Sequence, residues 1–215
     1  PGIMTGKRLI YPHFQHGRVV YYSCRNILGS EMQHGREIKS FNLPVALAGK
    51  RQLYYNTCYG RKAENVVLVE GPGDAISLCQ MGQPGVAIIG KNIQDFSEEI
   101  AELRNRHQTI YWGLDSDEAG LTTLRDEKTG KWPVLAALGP KARHARWDTA
   151  EGYTTYKIDA EGAADDVEHQ VKDVNDLLRA MKQNGDVDPS LQHSVLVGQL
   201  EQAKMMVMII AEWAG

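Results

Sequence analysis

Three acidic clusters hold the residues of this chain best suited to chemistry: Glu70-Gly71-Pro72-Gly73-Asp74, Asp115-Ser116-Asp117-Glu118-Ala119-Gly120 and Lys172-Asp173-Val174-Asn175-Asp176. Apolar, β-prone runs precede the first two, Val66-Val67-Leu68-Val69 and Thr109-Ile110-Tyr111-Trp112-Gly113-Leu114, and helix-compatible sequence follows all three. In an open parallel α/β sheet, functional groups gather at the carboxyl ends of strands, so acids distant in sequence can meet in one volume. Gathered carboxylates repel one another and need a positive counterpart. Mg²⁺ or Mn²⁺, hard cations that take oxygen ligands, suit that need. The pattern implies a metal-dependent enzyme acting on phosphates.

Taken singly, each cluster has a structural use as well. Glu70 opens a tight turn whose glycines leave the backbone free to approach a ligand, and the helix N-terminus behind it favours phosphate. Asp74 fits a helix cap as well as a catalytic acid. Asp115 and Asp117 are two apart, so extended backbone directs both side chains to one side, where they could share a metal. Asp117 could equally cap the helix that starts at Glu118. Asp173, Asn175 and Asp176 read as a capped helix start, with Lys172 placed to offset charge or reach a phosphate. Capping alone does not require Glu70, Asp115, Asp117 and Asp173 all to stand at strand-to-helix junctions.

The elements that must position these acids alternate from Val66 onward. A strand over 66–70 leads to a helix over 74–81 ended by Gly82, then a strand over 86–89. A helix near 96–106, a strand over 109–115, a helix near 118–126, a short helical piece after Pro133 and a strand over 153–158 follow. This alternation predicts an α/β fold, α+β overall, with a mainly parallel sheet flanked by helices. Ahead of it, runs over 8–14 and 18–23 joined by Gln15-His16-Gly17, with extended pieces at 38–43 and 53–56, read as a small β-rich unit. The tail from Pro189 to Trp213 has helical spacing. The expected division is a basic, mostly β subdomain over 1–62, a catalytic α/β domain over 63–184 and a C-terminal helical tail over 185–215.

Charge follows the same division. The net charge of −3 conceals ten Lys and Arg against two acids in residues 1–62, and 14 against 25 in the remainder. A basic lobe joined to an acidic one suits a protein holding a polyanion on one side and metals on the other. The three cysteines, Cys24, Cys58 and Cys79, stand apart with no C-x-x-C pair, so neither a disulfide framework nor a zinc site is expected. They read as small buried residues or thiols of a reducing cytoplasm. The longest apolar stretch, 205–211, is too short to span a bilayer, and no signal peptide opens the sequence. The opening Pro1-Gly2-Ile3, without Met, reads as an excised piece. The expectation is a soluble cytoplasmic protein.

The set Glu70-Gly71-x-x-Asp74, Asp115-x-Asp117-x-Ala119-Gly120 and Lys172-Asp173-x-Asn175-Asp176 resembles the Toprim domain, shared by DnaG-type primases, topoisomerases, some nucleases and recombination proteins. The N-terminal half narrows the resemblance to DnaG-type primases of bacteria and phages. Its Arg8-Leu9-Ile10-Tyr11-Pro12, Gly17-Arg18-Val19-Val20, Arg25, Lys39-Ser40-Phe41-Asn42-Leu43-Pro44 and Lys50-Arg51-Gln52-Leu53-Tyr54 follow the order of their basic subdomain. Asn175 stands where the bacterial pattern has Asp, as in the phage form. Residues 140–170 align with nothing in the family, and the zinc-binding module expected ahead of such a core has no counterpart here.

The resemblance implies synthesis of short RNA primers from NTPs on single-stranded DNA. It implies metal ligation by Glu70, Asp115, Asp117, Asp173 and Asn175, with Glu70, Asp74, Asp115 and Asp117 as the catalytic acids. It places Arg25, Lys39, Asn42, Lys50, Arg51 and Lys172 near nucleotide or template. A replicative helicase or a separate zinc-binding module are the further partners implied, and no membrane. Tyr21, Tyr22, Tyr54 and Tyr55 could stack bases, with packing as their alternative use. Two other functions remain open at this point: a Toprim nuclease, and an inactive module that binds nucleic acid or a replication partner.

Overall fold

The computed structural model describes residues 8–27, 31–33, 36–50, 52–60, 63–89, 93–116, 123–125, 129, 131–155 and 168–205. The predicted helix near 118–126 lies almost wholly outside them, as does the far end of the predicted strand over 153–158.

The apolar run Val66–Val69 decides the architecture. All four side chains are buried, Val67 and Val69 in one core cluster and Val66 and Leu68 in another. A strand buried on both faces reads as continuous apolar sequence and belongs at the centre of a parallel sheet. That strand is β7 (Asn65–Val69), and it pairs in parallel with β8 (Gly85–Ala87) on one side and β9 (Thr109–Trp112) on the other. Next to β9 runs β10 (Ala142–His144), also parallel. Two antiparallel edge strands, β6 (Tyr54–Tyr55) beside β8 and β13 (Lys204–Met205) beside β10, complete the order β13-β10-β9-β7-β8-β6.

Helices cover both faces. On one lie α2 (Pro72–Gln80), α5 (Val174–Gln183) and α6 (Pro189–Glu201), burying Leu78, Leu177, Met181, Leu196 and Leu200. On the other lie α3 (Ser97–Arg106) and α4 (Pro133–Leu138), burying Ile100, Leu103, Val134 and Leu138. The short ribbon of β11 (Thr154–Thr155) and β12 (His169–Gln170) stands apart from the main sheet.

The N-terminal residues form an antiparallel sheet of β1 (Arg8–Gln15), β2 (Arg18–Asn26) and β5 (Ser40–Asn42). A small hairpin, β3 (Glu31–Gln33) with β4 (Arg36–Ile38), lies between β2 and β5 in sequence, and a one-turn helix, α1 (Val45–Ala48), follows β5. Pleat alternation puts Tyr11, His13, Tyr21 and Ser23 on one face, and all four are buried. His13 is held there by Ser23 Oγ and the Gln52 carbonyl, each 3.1 Å away, and its ring meets Tyr54 of β6 edge-on. The basic sheet thus docks through its aromatic face on the edge of the main sheet.

Two expectations change. The stretch 53–56, grouped above with the basic unit, sends β6 into the main sheet. The tail is not one helix to Trp213: α6 ends at Glu201, and β13 then pairs with β10. Once Leu196 and Leu200 have filled the core, the chain turns to pair an open sheet edge, a backbone demand that side-chain periodicity does not display.

Gly113, just past β9, has no room for a side chain. A Cβ there would sit 2.6 Å from Trp147 Cζ2 and 3.1 Å from Val67 Cγ1. Gly113→Ala is expected to cost about 2 kcal/mol through overpacking, lowering Tm in a thermal melt by about 6 °C. An unchanged Tm would show that the indole retreats freely.

Candidate active site

The strand order reverses between β7 and β9: the chain leaves β7 for β8 on one side, then crosses back through α3 to β9 on the other. Loops at such a switch point diverge and leave a crevice at the strands' carboxyl ends. Glu70 follows β7, and Asp115 lies three residues past β9, whose Trp112 is opposite Leu68 of β7. The first two acidic clusters therefore stand over adjacent strand ends.

The turn after β7 does not need its glycines for unusual dihedrals. Neither Gly71 nor Gly73 adopts a positive φ. Gly71 is instead needed for space, since a Cβ there would lie 3.3 Å from Asp74 Oδ2. That oxygen accepts a hydrogen bond from the Gly71 N–H at 3.1 Å. Asp74 thus caps the start of α2 while it stays within electrostatic reach of Asp173, Asp115 and Glu70.

The third cluster arrives from outside the main sheet, after β12. The Ser116 N–H donates to the Lys172 carbonyl at 2.6 Å, which clamps this segment to the Asp115 loop. Ser116 Oγ accepts from the Trp147 N–H at 2.8 Å, and the Trp147 indole N–H donates to the Gly113 carbonyl at 2.9 Å. Asp173 Oδ1 caps α5 by accepting from the Asp176 N–H at 2.6 Å. Asn175 turns toward α2, where its Oδ1 accepts from Ser77 Oγ at 2.9 Å. Lys172 Nζ lies 3.6 Å from Asp115 Oδ2.

Electrostatics shows that these acids share one volume. The Asp74 carboxyl is pushed up to about 7, first by desolvation and then by the charge of Asp173. The Gly71 N–H opposes the rise, while Asp115 and Glu70 add to it. Asp173 is raised too, by burial and by Asp176, against the pull of its capping N–H, Lys172 and Arg179. One oxygen of Glu70, Oε2, is sealed from solvent. Acids from three loops thus load one region with negative charge, and the partly exposed Lys172 beside Asp115 is a weak offset. Oxygen-only donors under mutual repulsion fit a hard divalent cation. Among the described residues no three acids form a ready-made metal cage. Asp117 lies outside the described residues.

The basic sheet approaches this pocket through Tyr11. Its hydroxyl is raised by burial, lowered by Arg25 and raised by Asp74, so it stands within reach of both charges. Arg25 and Asn42 are exposed on β2 and β5, and Lys39 is exposed between β4 and β5. Lys50 is engaged elsewhere: its Nζ meets Glu99 Oε1 at 2.8 Å and Glu98 Oε2 at 3.7 Å in the first turn of α3. Arg51 lies outside the described residues. Tyr21, Tyr54 and Tyr55 pack against neighbouring rings. Tyr21 is sealed and donates to the Leu43 carbonyl at 2.7 Å, and Tyr55 rests on Tyr59 with ring centres 4.6 Å apart.

Tyr11, Ser77, Ser116 and Trp147 are the contributors that sequence reasoning missed. Tyr11 lies inside the run Arg8–Pro12 and Ser116 inside the second acidic cluster, while nothing in the local sequence around Trp147 announces that it braces the Asp115 loop.

The profile of Toprim-like domains matches residues 67–129, the segment that carries the first two acidic clusters. No curated protein matches the chain. Among solved structures, the RNA polymerase domain of Mycobacterium tuberculosis primase DnaG is similar at a TM-score of 0.56 and 19% identity, covering 94% of this chain and 57% of that one. A DnaG primase catalytic domain bound to single-stranded DNA matches at 0.54 and 17%, covering 93% and 54%. The primase fragment of the bacteriophage T7 primase-helicase matches at 0.51 and 15%, covering 90% and 62%. The fold is that of a DnaG-type primase core, with Toprim at its centre. This chain spans little more than half the length of those structures. The likeness extends well beyond the Toprim segment, so the basic sheet belongs to the shared architecture.

Asp74 ties the Toprim pocket to pH. Because its folded-state value lies above the ordinary 3.8, the folded chain binds the proton more tightly than the unfolded one. The stabilisation is complete below pH 4 and is lost as pH rises through about 7. Asp74→Asn keeps an acceptor for the Gly71 N–H but removes the charge. It should raise Tm by a few degrees at pH 8, with the gain closing toward pH 5 in parallel melts. A gain of equal size at both pH values would contradict this assignment.

Proposed function

We propose that the chain is the catalytic core of a DNA primase, a nucleotidyltransferase that joins NTPs into short RNA primers on single-stranded DNA. The observation that carries the reading is the docking of a basic sheet on the edge of the main sheet, with Tyr11 within electrostatic reach of both Arg25 and Asp74. A nuclease of the same family needs the acids but not the basic sheet. The likeness to a DnaG domain bound to single-stranded DNA covers both lobes and supports a template on the basic side.

In this reading Asp115 and Asp117, with Glu70 and Asp173, hold Mg²⁺ or Mn²⁺. The metal, when bound, supplies charge stabilisation for the attacking and leaving oxygens of an in-line displacement. The 3′-hydroxyl of the primer attacks the α-phosphorus of the incoming NTP, and pyrophosphate leaves. Glu70, at the end of β7, accepts the hydroxyl proton. Asp74, with its raised affinity for a proton, lowers the charge of the acidic surface as pH falls through about 7. Lys172 exchanges Asp115 for a phosphate oxygen of the triphosphate. Asn175 is assigned to holding α5 against α2 rather than to direct ligation, because Ser77 already occupies its Oδ1. Arg25, Lys39, Asn42 and Arg51 steer the template backbone, a positioning role that carries no sequence information. A replicative helicase and a zinc-binding module are proposed as further partners. None of the described helices is long and apolar enough to cross a membrane.

The deciding measurement is primer synthesis from labelled NTPs on varied single-stranded templates with Mg²⁺ or Mn²⁺. Asp115→Ala should cut product about 10³-fold, as loss of a transition-state electrostatic contact does. Its Tm should hold or rise, because repulsion is relieved. Full nucleotidyl transfer by this variant would refute the metal assignment, and shortening of the template by the unaltered chain would mark a nuclease.

The two lysine-and-arginine positions on the basic side separate by what already holds them. Arg25→Ala should weaken single-strand binding and lower the slope of log affinity against log salt by about one. Lys50→Ala, with its ammonium paired to Glu99, should leave that slope unchanged. Equal effects at both positions would undo the placement of the template.

A further inference from the structure

The sulfurs of Cys58 and Cys79 lie 2.6 Å apart although 21 positions separate them in sequence. Cys58 is sealed in the turn Thr57–Gly60, and Cys79 is partly exposed in the last turn of α2. Thr57 Oγ1 stands 3.1 Å from the Cys79 sulfur, and the Cys58 thiol donates to the Cys79 carbonyl at 3.5 Å. The two segments are already fastened together. Asn56 Nδ2, buried beside them, donates to the Ala75 carbonyl at 2.7 Å and to the Gln83 carbonyl at 3.1 Å.

We propose that Cys58 and Cys79 are an oxidisable dithiol, a modification site where a disulfide staples the turn beside β6 to the far end of α2, whose first turn holds Asp74. A disulfide requires backbones already close and sulfurs facing one another, and both conditions hold here before any bond forms. The oxidant is a small-molecule disulfide. The Cys79 thiolate, the accessible one, attacks a sulfur of that disulfide and forms a mixed disulfide while the first small thiolate leaves. The Cys58 thiolate then attacks the Cys79 sulfur, expels the second small thiolate and completes the internal bond. Two protein thiols and one disulfide become one internal disulfide and two small thiols, with both protons carried off by the leaving groups. Cys24 is buried in β2 and takes no part. The staple closes a loop in the unfolded chain and shortens the motions open to α2.

The test treats the folded chain with oxidised glutathione, then unfolds it, alkylates it and measures intact mass and Tm. The expected product is a monomer that has lost two hydrogens and carries one alkyl group, on Cys24. Its Tm should rise by about 5 °C and fall back with dithiothreitol. Cys58→Ser should stop at a glutathione adduct on Cys79, and Cys79→Ser should take up none. Three alkylated thiols in the unaltered chain, a stable glutathione adduct on it, or a cross-linked dimer would each overturn the proposal.

Discussion

Repulsion among carboxylates held at neighbouring strand ends is the constraint from which the rest of this molecule follows. Burial first, and then the charges of Asp173, Asp115 and Glu70, push Asp74 up to about 7. A protein tolerates such a concentration of like charge only if rigid elements hold the groups in place. Here they are a centrally buried strand, a capped helix and a loop fixed by three hydrogen bonds, one of them between backbone groups. The same charge that costs stability gathers oxygen donors of the type a hard divalent cation takes.

The bracing is indirect. Trp147 holds the Asp115 loop through its main-chain and indole N–H groups, and Ser116 ties that loop to the third cluster through Lys172. The Ser77 to Asn175 bond keeps α5 against α2. Trp147, Ser116, Ser77 and Asn175 bear no charge, yet each sets how far one acid can retreat from another. The basic sheet is fixed as tightly, by the packing of His13, Tyr21 and Tyr54 at the lobe junction. Arg25 consequently approaches the acids on a rigid support.

Legibility in the sequence tracked how local the cause was. Val66–Val69 announced a doubly buried strand because four consecutive apolar β-formers have few other uses. Asp173 announced a cap, and it caps. The β1–β2 hairpin and α3 lie close to their expected spans for the same reason. The misplaced elements were those whose partners are remote: β6 left the basic unit to pair with β8, and β13 replaced the end of a helix to pair with β10. An open sheet edge attracts backbone from any distance, and its demand leaves no periodic trace.

Local chemistry in the chain itself determined the parallel sheet, the acids at strand ends, the basic N-terminal sheet and the likeness to DnaG-type primases. Those features depend on side-chain type at short spacing, where apolar periodicity and turn residues act directly. Folding alone decided that Asp74 both caps α2 and joins the other acids, that Lys50 pairs with α3, that Asn175 serves a helix contact, and that Cys58 meets Cys79. Each depends on distance through space between distant segments, and such distances exist only once burial of the two apolar faces has fixed every helix against the sheet.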